Sequence, residues 1–575
     1  MILSLLQAAV DSALAEVADK STFSAVEPDV LKVVPATNPQ FGDYQFNGAL
    51  ALAKPLKANP RQIATQLVEK LDVADWCEPL EIAGPGFINF RLKRESVAEF
   101  AAKQLQDAHL GIAQAEKPRT VVIDFSSPNV AKPMHVGHIR STVLGDALAR
   151  LLKSAGHNVI TDNHLGDWGT QFGKIIYGWK HDLNQENLQN DPIAEMERLY
   201  KTVNAQSETD ETIADAARAE TAKLQNGDAE NLEIWNKLRE YSQDQFDEIY
   251  GRLHVHFDHT LGESFYNDEL AGVVEDLQKR GLAKSSDGAV IVPFDDIPAL
   301  ADKPLLIQKS DGSSLYGTTD LATIQYRENE WHPGEILYVV DARQSLHFQQ
   351  VFETAKRAEY TNAILRHISF GSILGDDGTP IKTRSGESIK LRDLLDEAES
   401  RALEVVREKN PSLDEALQKQ VAQAVGIGAV KYMDLSQNRA TDYVFSWQKM
   451  LAMQGNTAPY LLYAYVRIRS IMRQAESTFD ASKVLLLEEN AEFELAKHAL
   501  RFGEAIETAL ADYRPNALCE YLFHLAQKFT AFYDACPVRN SEEALRHSRL
   551  QLCQLTADIL QRGLGLLGIE TVEQM

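Results

Sequence analysis

Cysteine is scarce and scattered: Cys77, Cys519, Cys536 and Cys553 are the only four in 575 residues, and no two form a CxxC pair. That spacing leaves zinc and dithiol redox motifs unsupported, so each thiol is expected as a small buried hydrophobe in a reducing compartment. No apolar run reaches the length needed to cross a bilayer. The stretch MILSLLQAAVDSALAEV lacks a basic leader and carries Asp11 and Glu16, which reads as an amphipathic helix rather than a secretion signal. A cytoplasmic location without a membrane partner is expected. Positive charge is also short, with 58 Lys+Arg against 83 Asp+Glu and a net charge of −25. Such a balance argues against indiscriminate coating of nucleic acid, and no DNA partner is expected, but it leaves room for a local basic track suited to one RNA.

What is present is an ordinary globular composition, 44% hydrophobic and 25% charged, on a chain too long for one core. The acid is unevenly placed: 17 Asp+Glu stand against 6 Lys+Arg between Asp182 and Glu248. A solvated helical insertion is the expected form of that segment.

The most informative stretch is VVIDFSSPNVAKPMHVGHIRSTVLGDALAR, residues 121–150. Val121 to Phe125 reads as a buried strand closed by Ser126-Ser127-Pro128-Asn129, and Thr142 to Leu152 reads as a helix. His135-Val136-Gly137-His138 is then expected in the loop between them. Strand ends that feed helix starts are where nucleotide phosphates dock in parallel α/β folds, because the helix N-terminus presents unpaired N–H groups. His135, His138 and Lys132 are placed to stabilise negative charge on phosphate oxygens.

Further blocks have the same character. A strand at Val159–Thr161 runs into NHLGDWGTQFG, where three glycines allow close approach of the backbone to a ligand. A second insertion, near 260–304, contains the strand-like Gly288–Phe294, and the main sheet is expected to resume at Pro304–Lys309. Tyr316 and Asp320 are four apart and share a face if a helix starts there. A carboxylate beside an aromatic wall suits a planar guanidinium. Leu337–Val340 reads as a strand entering the turn that carries Gln344, and residues 370–386 form a glycine-punctuated loop with Lys382, Thr383 and Ser385. Helical patterns cover Ile2–Val17, Phe46–Leu56 and Pro60–Leu71 before a Gly84-Pro85-Gly86 turn, and later Leu391–Lys409, Leu413–Lys431 and Phe445–Arg473.

Together these blocks resemble class I aminoacyl-tRNA synthetases. HVGH is similar to their first signature, and SSPNVAKPMHVGHIRST, FGDYQFNGALALAK, GPGFINFRL and NHLGDWGTQFG are similar to the arginyl-tRNA synthetase family over nearly the whole chain. The resemblance implies an α/β architecture. A Rossmann-like parallel-sheet catalytic domain (111–444, with insertions near 182–255 and 260–304) would follow a small α+β domain at 1–110 that leans on the tRNA elbow. An all-α helical-bundle domain for the anticodon would occupy 445–575.

It also implies arginine activation by ATP, brought as its Mg²⁺ complex, and transfer of arginine to the terminal adenosine of tRNA(Arg). No structural metal and a monomer are expected. Carried over residue by residue, the resemblance assigns Pro128, Asn129, Lys132, His135, Gly137, His138, Lys382 and Thr383 to ATP. Lys132, His135, Gly137, His138 and Lys382 form the catalytic set. Asn129, Asn163, Tyr316, Asp320 and Gln344 go to arginine, and Tyr463, Arg467, Tyr533 and Met575 to tRNA. The loop at Lys382-Thr383-Arg384-Ser385-Gly386 departs from the family-wide Lys-Met-Ser-Lys-Ser pattern, because Ser385 replaces the second lysine; Lys132 is expected to supply the missing charge. A class I synthetase for another amino acid, or a catalytically inactive tRNA-binding paralogue, remains the alternative.

Overall fold

In the computed structural model, residues 2–17, 26–382, 388–475 and 483–575 are described. Four parallel strands form the central sheet in the order Ile364–His367, Glu335–Tyr338, Thr120–Asp124, Asn158–Asp162. Two strand–helix–strand halves therefore meet where Thr120–Asp124 pairs with Glu335–Tyr338, and the connections run outward from that line. This is the switch point at which open α/β sheets leave a crevice beyond the carboxyl ends of their strands. Helix Val136–Ser154 joins the first pair of strands and helix Ser345–Arg357 the second. Glu335–Tyr338 is buried along its whole length, as expected of a strand covered on both faces.

The strand Leu305–Gln308 does not rejoin this sheet, contrary to the expectation from sequence. It pairs antiparallel with Ala289–Val292, which pairs with Lys284–Ser286, in a separate three-stranded sheet of the second insertion. Its burial alternates along the strand, the pattern of a one-sided sheet rather than a doubly covered one.

The N-terminal unit is a four-stranded antiparallel sheet, Val33–Pro35, Tyr44–Phe46, Phe87–Phe90, Glu81–Ala83. Phe46 ends a strand there, so the helix expected from it begins only at Ala49. Tyr44 and Phe46 are core residues, whereas Phe41 is exposed. This unit docks on the C-terminal helices: the Tyr44 hydroxyl donates to Glu504 at 2.6 Å, and Lys497 reaches Asp43 at 2.7 Å.

The C-terminal unit contains Ala458–Gln474, Asn490–Leu500, Phe502–Ala511, Asn516–Ala535 and Glu543–Leu566. The single helix expected over Phe445–Arg473 is broken into Trp447–Met450 and Ala458–Gln474. Gly455 takes a left-handed conformation (φ +81°), and Thr457 caps the second helix by accepting from the Tyr460 N–H. All four cysteines are free and buried. Among the described residues, no helix is long and apolar enough to cross a membrane.

Candidate functional site

Beyond the carboxyl ends of the central strands lies a cleft of about 510 Å³. Its wall includes Asn129, His135, Gly137, His138, His164, Glu263, Tyr316, Asp320, Arg343, Gln344 and His347.

Helix Val136–Ser154 starts earlier than its apolar periodicity indicates, so Gly137 and His138 lie in its first turn rather than in a loop. His135 is the N-cap. Its Nδ1 accepts from the Gly137 N–H at 3.1 Å, while the His135 N–H donates to His138 Nδ1 at 3.0 Å. Both Nδ1 atoms are thus acceptors, which leaves the Nε2 atoms to carry the protons. Burial, then the charges of Arg343 and Lys132, lowers the His135 pKa; burial, then His135, brings His138 down to about 3. The pair is neutral near pH 7, with ring centroids 4.0 Å apart, and offers N–H donors rather than cations. A Cβ on Gly137 would lie 2.8 Å from the His135 ring, so glycine at this position makes room for the capping imidazole.

The loop before this helix is conformationally costly. Ser126, Ser127 and Ala131 have φ values of +71°, +49° and +62°, worth roughly 1–3 kcal/mol of strain each. Hydrogen bonds hold them there. The Ser126 N–H donates to Ser141 Oγ at 2.8 Å, the Ser127 N–H to Asn163 Oδ1 at 3.0 Å, and the Ala131 N–H to Ser242 Oγ at 2.9 Å. Asn163 is fully buried and also donates to the Tyr250 hydroxyl. The structure therefore places it beneath the pocket, where it shapes the loop, and not on the cleft wall. At the floor, the buried Arg327 donates to Asp124 at 2.6 Å and to Asp162 at 2.8 Å, tying two central strand ends together.

Asn129, Tyr316, Asp320 and Gln344 are brought together on the wall. Tyr316 opens helix Tyr316–Trp331, and Asp320 follows one turn later. Three wall residues carried no signal in the sequence. His347 Nε2 lies 2.5 Å from Asp320 Oδ2; burial opposes its protonation, but the Asp320 bond and charge raise its pKa above the ordinary value. Arg343 forms a bidentate pair with Asp341 in the same turn. Glu263 belongs to the second insertion, where a single acid among many gives nothing to single out. Burial, then the charges of Asp167 and Asp320, push its pKa to about 8. Its segment is gripped by Asp167, whose carboxylate accepts from the Ser264 N–H at 2.8 Å and from its hydroxyl at 2.7 Å. Asp167 thus holds the site's shape, and Trp168 packs edge-on against Trp235.

Lys132 lies outside the wall, its Nζ 5.1 Å from the centre of the Tyr200 ring. Lys382 is exposed on the loop that follows Phe370; Thr383 and Ser385 fall outside the described residues. The chain returns from that loop directly onto the histidine signature, where the Val136 N–H donates to the Ile389 carbonyl at 2.9 Å. Among the described residues, no group of three or more His, Cys, Asp or Glu is placed to hold a metal ion.

Tyr463, Arg467 and Tyr533 converge on the surface of the helical unit. The Arg467 guanidinium lies 4.7 Å from one ring centre and 5.2 Å from the other, and both tyrosines are exposed. Met575 is only partly exposed, and its backbone carbonyl accepts from Asn410.

Comparison with known proteins agrees with this geometry. Residues 101–447 match the family described as tRNA synthetases class I (R), catalytic domain. The arginine–tRNA ligase of Chromobacterium violaceum is 44% identical over 559 residues, covering 96% of this chain and 97% of the relative. The chain belongs to the arginyl-tRNA synthetase family. It is an aminoacyl-tRNA ligase. Residues 4–92 match the arginyl tRNA synthetase N terminal domain and residues 461–575 the DALR anticodon binding domain. The arginine–tRNA ligase of a Picosynechococcus species is 46% identical with both chains fully covered. Two solved arginyl-tRNA synthetases share the whole architecture. That of Plasmodium falciparum has a TM-score of 0.84 at 29% identity, covering 100% of this chain and 99% of the other. That of Thermus thermophilus has a TM-score of 0.83 at 27% identity, with both chains fully covered.

Proposed function

We propose that this arginyl-tRNA synthetase family member joins arginine to tRNA(Arg) at the switch-point cleft, and that the wall residues divide the work by charge. The observation that carries the reading is that two acids, Asp320 and Glu263, line one cleft together with the Tyr316 ring and the neutral His135–His138 pair. A guanidinium fits beside the acids, where planar bidentate bonds and exclusion of water strengthen the attraction. Gln344 and Asn129 supply neutral hydrogen bonds to the rest of arginine, and Asn163 keeps the Ser127–Asn129 backbone in place.

Arginine's carboxylate attacks the α-phosphorus of ATP. The new O–P bond forms as the bond to the bridging oxygen breaks, and pyrophosphate leaves with the electron pair. The carboxylate is already nucleophilic, so positioning and electrostatic preorganisation supply the rate. The two Nε2–H groups donate to the α-phosphate oxygens as their charge grows, and no proton leaves either ring. Pro128 and Gly137 flank this nucleotide site, and Gly137 leaves the His135 ring room to present its donor. Lys132 and Lys382, with Mg²⁺ arriving as part of the ATP complex, neutralise the departing pyrophosphate. In the second step a hydroxyl of the terminal adenosine of tRNA attacks the adenylate carbonyl and AMP leaves. The Tyr463–Arg467–Tyr533 cluster suits stacking on an unpaired base, with the guanidinium contributing charge.

Aminoacylation of total tRNA with each of the twenty amino acids tests the reading. Arginine alone should be esterified; charging of another amino acid, or of none, would refute it.

A further inference from the structure

The acidic insertion meets an electropositive spot at its edge. Tyr200, on helix Pro192–Thr209, faces two ammonium groups: Lys132 Nζ at 5.1 Å and Lys174 Nζ at 6.0 Å from the ring centre. Lys174 is on helix Thr170–Asp182 and donates to the neutral Asn204 at 2.7 Å. Neither lysine has a carboxylate within ion-pair distance among the described residues. Lys180, on the same helix as Lys174, has two, Glu220 at 2.8 Å and Glu230 at 2.9 Å. Two half-buried ammonium groups drawn to one ring without a carboxylate repel each other, and an anion bound beside both would relieve that repulsion. The spot adjoins the histidine signature, because the Lys132 charge is one of those that lower the His135 pKa. Lys132 itself follows the strained Ala131, whose N–H is pinned by Ser242 of the same insertion.

We propose that Lys132 and Lys174 form a phosphate-binding station beside the histidine signature, and that Tyr200 is its positioning residue. The ring attracts both cations through its π electrons and holds their side chains close to it in the absence of a phosphate. The acidic insertion thereby builds one wall of the reaction site. This rests on the assignment of Lys132 to the departing pyrophosphate. The phosphate oxygens come either from ATP or from the RNA backbone near its 3′ end.

The test uses the full-length enzyme and the variants Lys174→Gln, Tyr200→Leu and Tyr200→Phe, each checked for an unchanged melting temperature. Lys174→Gln should raise one KM about tenfold, the value of one charged hydrogen bond, with the KM for arginine unaltered. A rise in the KM for ATP, and for pyrophosphate in the exchange reaction, identifies the nucleotide as the source; a rise confined to the KM for tRNA identifies the RNA. Tyr200→Leu should reproduce that change and Tyr200→Phe, which keeps the ring, should restore it. Unchanged KM values for ATP, pyrophosphate and tRNA in Lys174→Gln would overturn the station. Equal behaviour of the Leu and Phe variants would overturn the role of the ring. Lys132→Ala assayed alongside keeps two failures apart. A fall in its kcat with Lys174→Gln unaltered overturns this inference alone, whereas a wild-type kcat overturns the assignment of Lys132 on which it rests.

Discussion

Binding of arginine should release a proton from Glu263. In the empty cleft its pKa stands at about 8, held up by burial and by the charges of Asp167 and Asp320, so near pH 7 the carboxyl is mostly protonated. A bound guanidinium favours the charged form and returns the group toward the ordinary carboxylate value of about 4.3. The sign follows from linkage: arginine prefers ionised Glu263, so affinity falls as pH drops below 8 and levels off above it. At pH 7 most of one proton should be released per arginine, and the Kd should tighten by on the order of tenfold as pH rises from 6.5 to 8.5. His347 acts in the same direction. Its raised pKa depends on Asp320, and a guanidinium that takes Asp320 from it promotes loss of its proton. Titration calorimetry in buffers of different ionisation enthalpy reads the proton count directly. Glu263→Gln should remove most of the release and flatten most of the pH profile, leaving the smaller His347 share. A wild-type protein that binds arginine with no proton exchange and a constant Kd across this range would refute the coupling.

Three further outcomes follow from the same geometry. Asp320→Asn should cost roughly 2–5 kcal/mol in kcat/KM for arginine, as expected when one partner of a desolvated charge pair is lost, while the KM for ATP stays near wild type. Gly137→Ala should lower kcat by about 10²-fold with the KM for arginine little changed, since the new Cβ would lie 2.8 Å from His135 and displace a preorganised donor; unaltered single-turnover adenylate formation would remove His135 from that role. Arg467→Ala should raise the KM for tRNA about tenfold through loss of stacking and charge and leave the KM for arginine alone, and equal tRNA saturation curves would exclude the exposed tyrosine cluster from RNA binding.

Residues at strand ends and helix starts were readable because local pattern alone places them. Val121–Ile123 is a run of buried β-branched residues, and Tyr316 and Asp320 are one helical turn apart, so their meeting at the cleft needs only the parallel sheet between them. Glu263 was not readable. It reaches the pocket because Asp167, nearly a hundred residues earlier, grips Ser264, and no periodicity records such a contact. The role of Asn163 was only half readable: its position at a strand end is right, but both ends of its amide are used in holding Ser127 and Tyr250. The start of helix Val136–Ser154 was missed for a related reason, because a histidine N-cap replaces the usual Ser, Thr or Asp signal. Leu305–Gln308 pairs in a separate sheet rather than the main one, and this was not readable because a short apolar run such as Leu305-Leu306-Ile307 fits either in sequence. Charge alone gives the acidic insertion only as a solvated helical segment. Its outer face is that, but Ser242, Tyr250 and Tyr200 turn inward and support the loop that carries Lys132.

In the proposed reading, two carboxylates beside Tyr316 select a planar cation. Citrulline tests this most directly, because it keeps arginine's length and planarity and replaces the charged guanidinium with a neutral urea group. Charged with tRNA in parallel, arginine should exceed citrulline in kcat/KM by on the order of 10²–10³-fold, the value of a charge-assisted pair with partly buried carboxylates. Asp320→Asn should narrow that ratio mainly by lowering the arginine value. Comparable kcat/KM values for arginine and citrulline in the wild-type protein would contradict the claim.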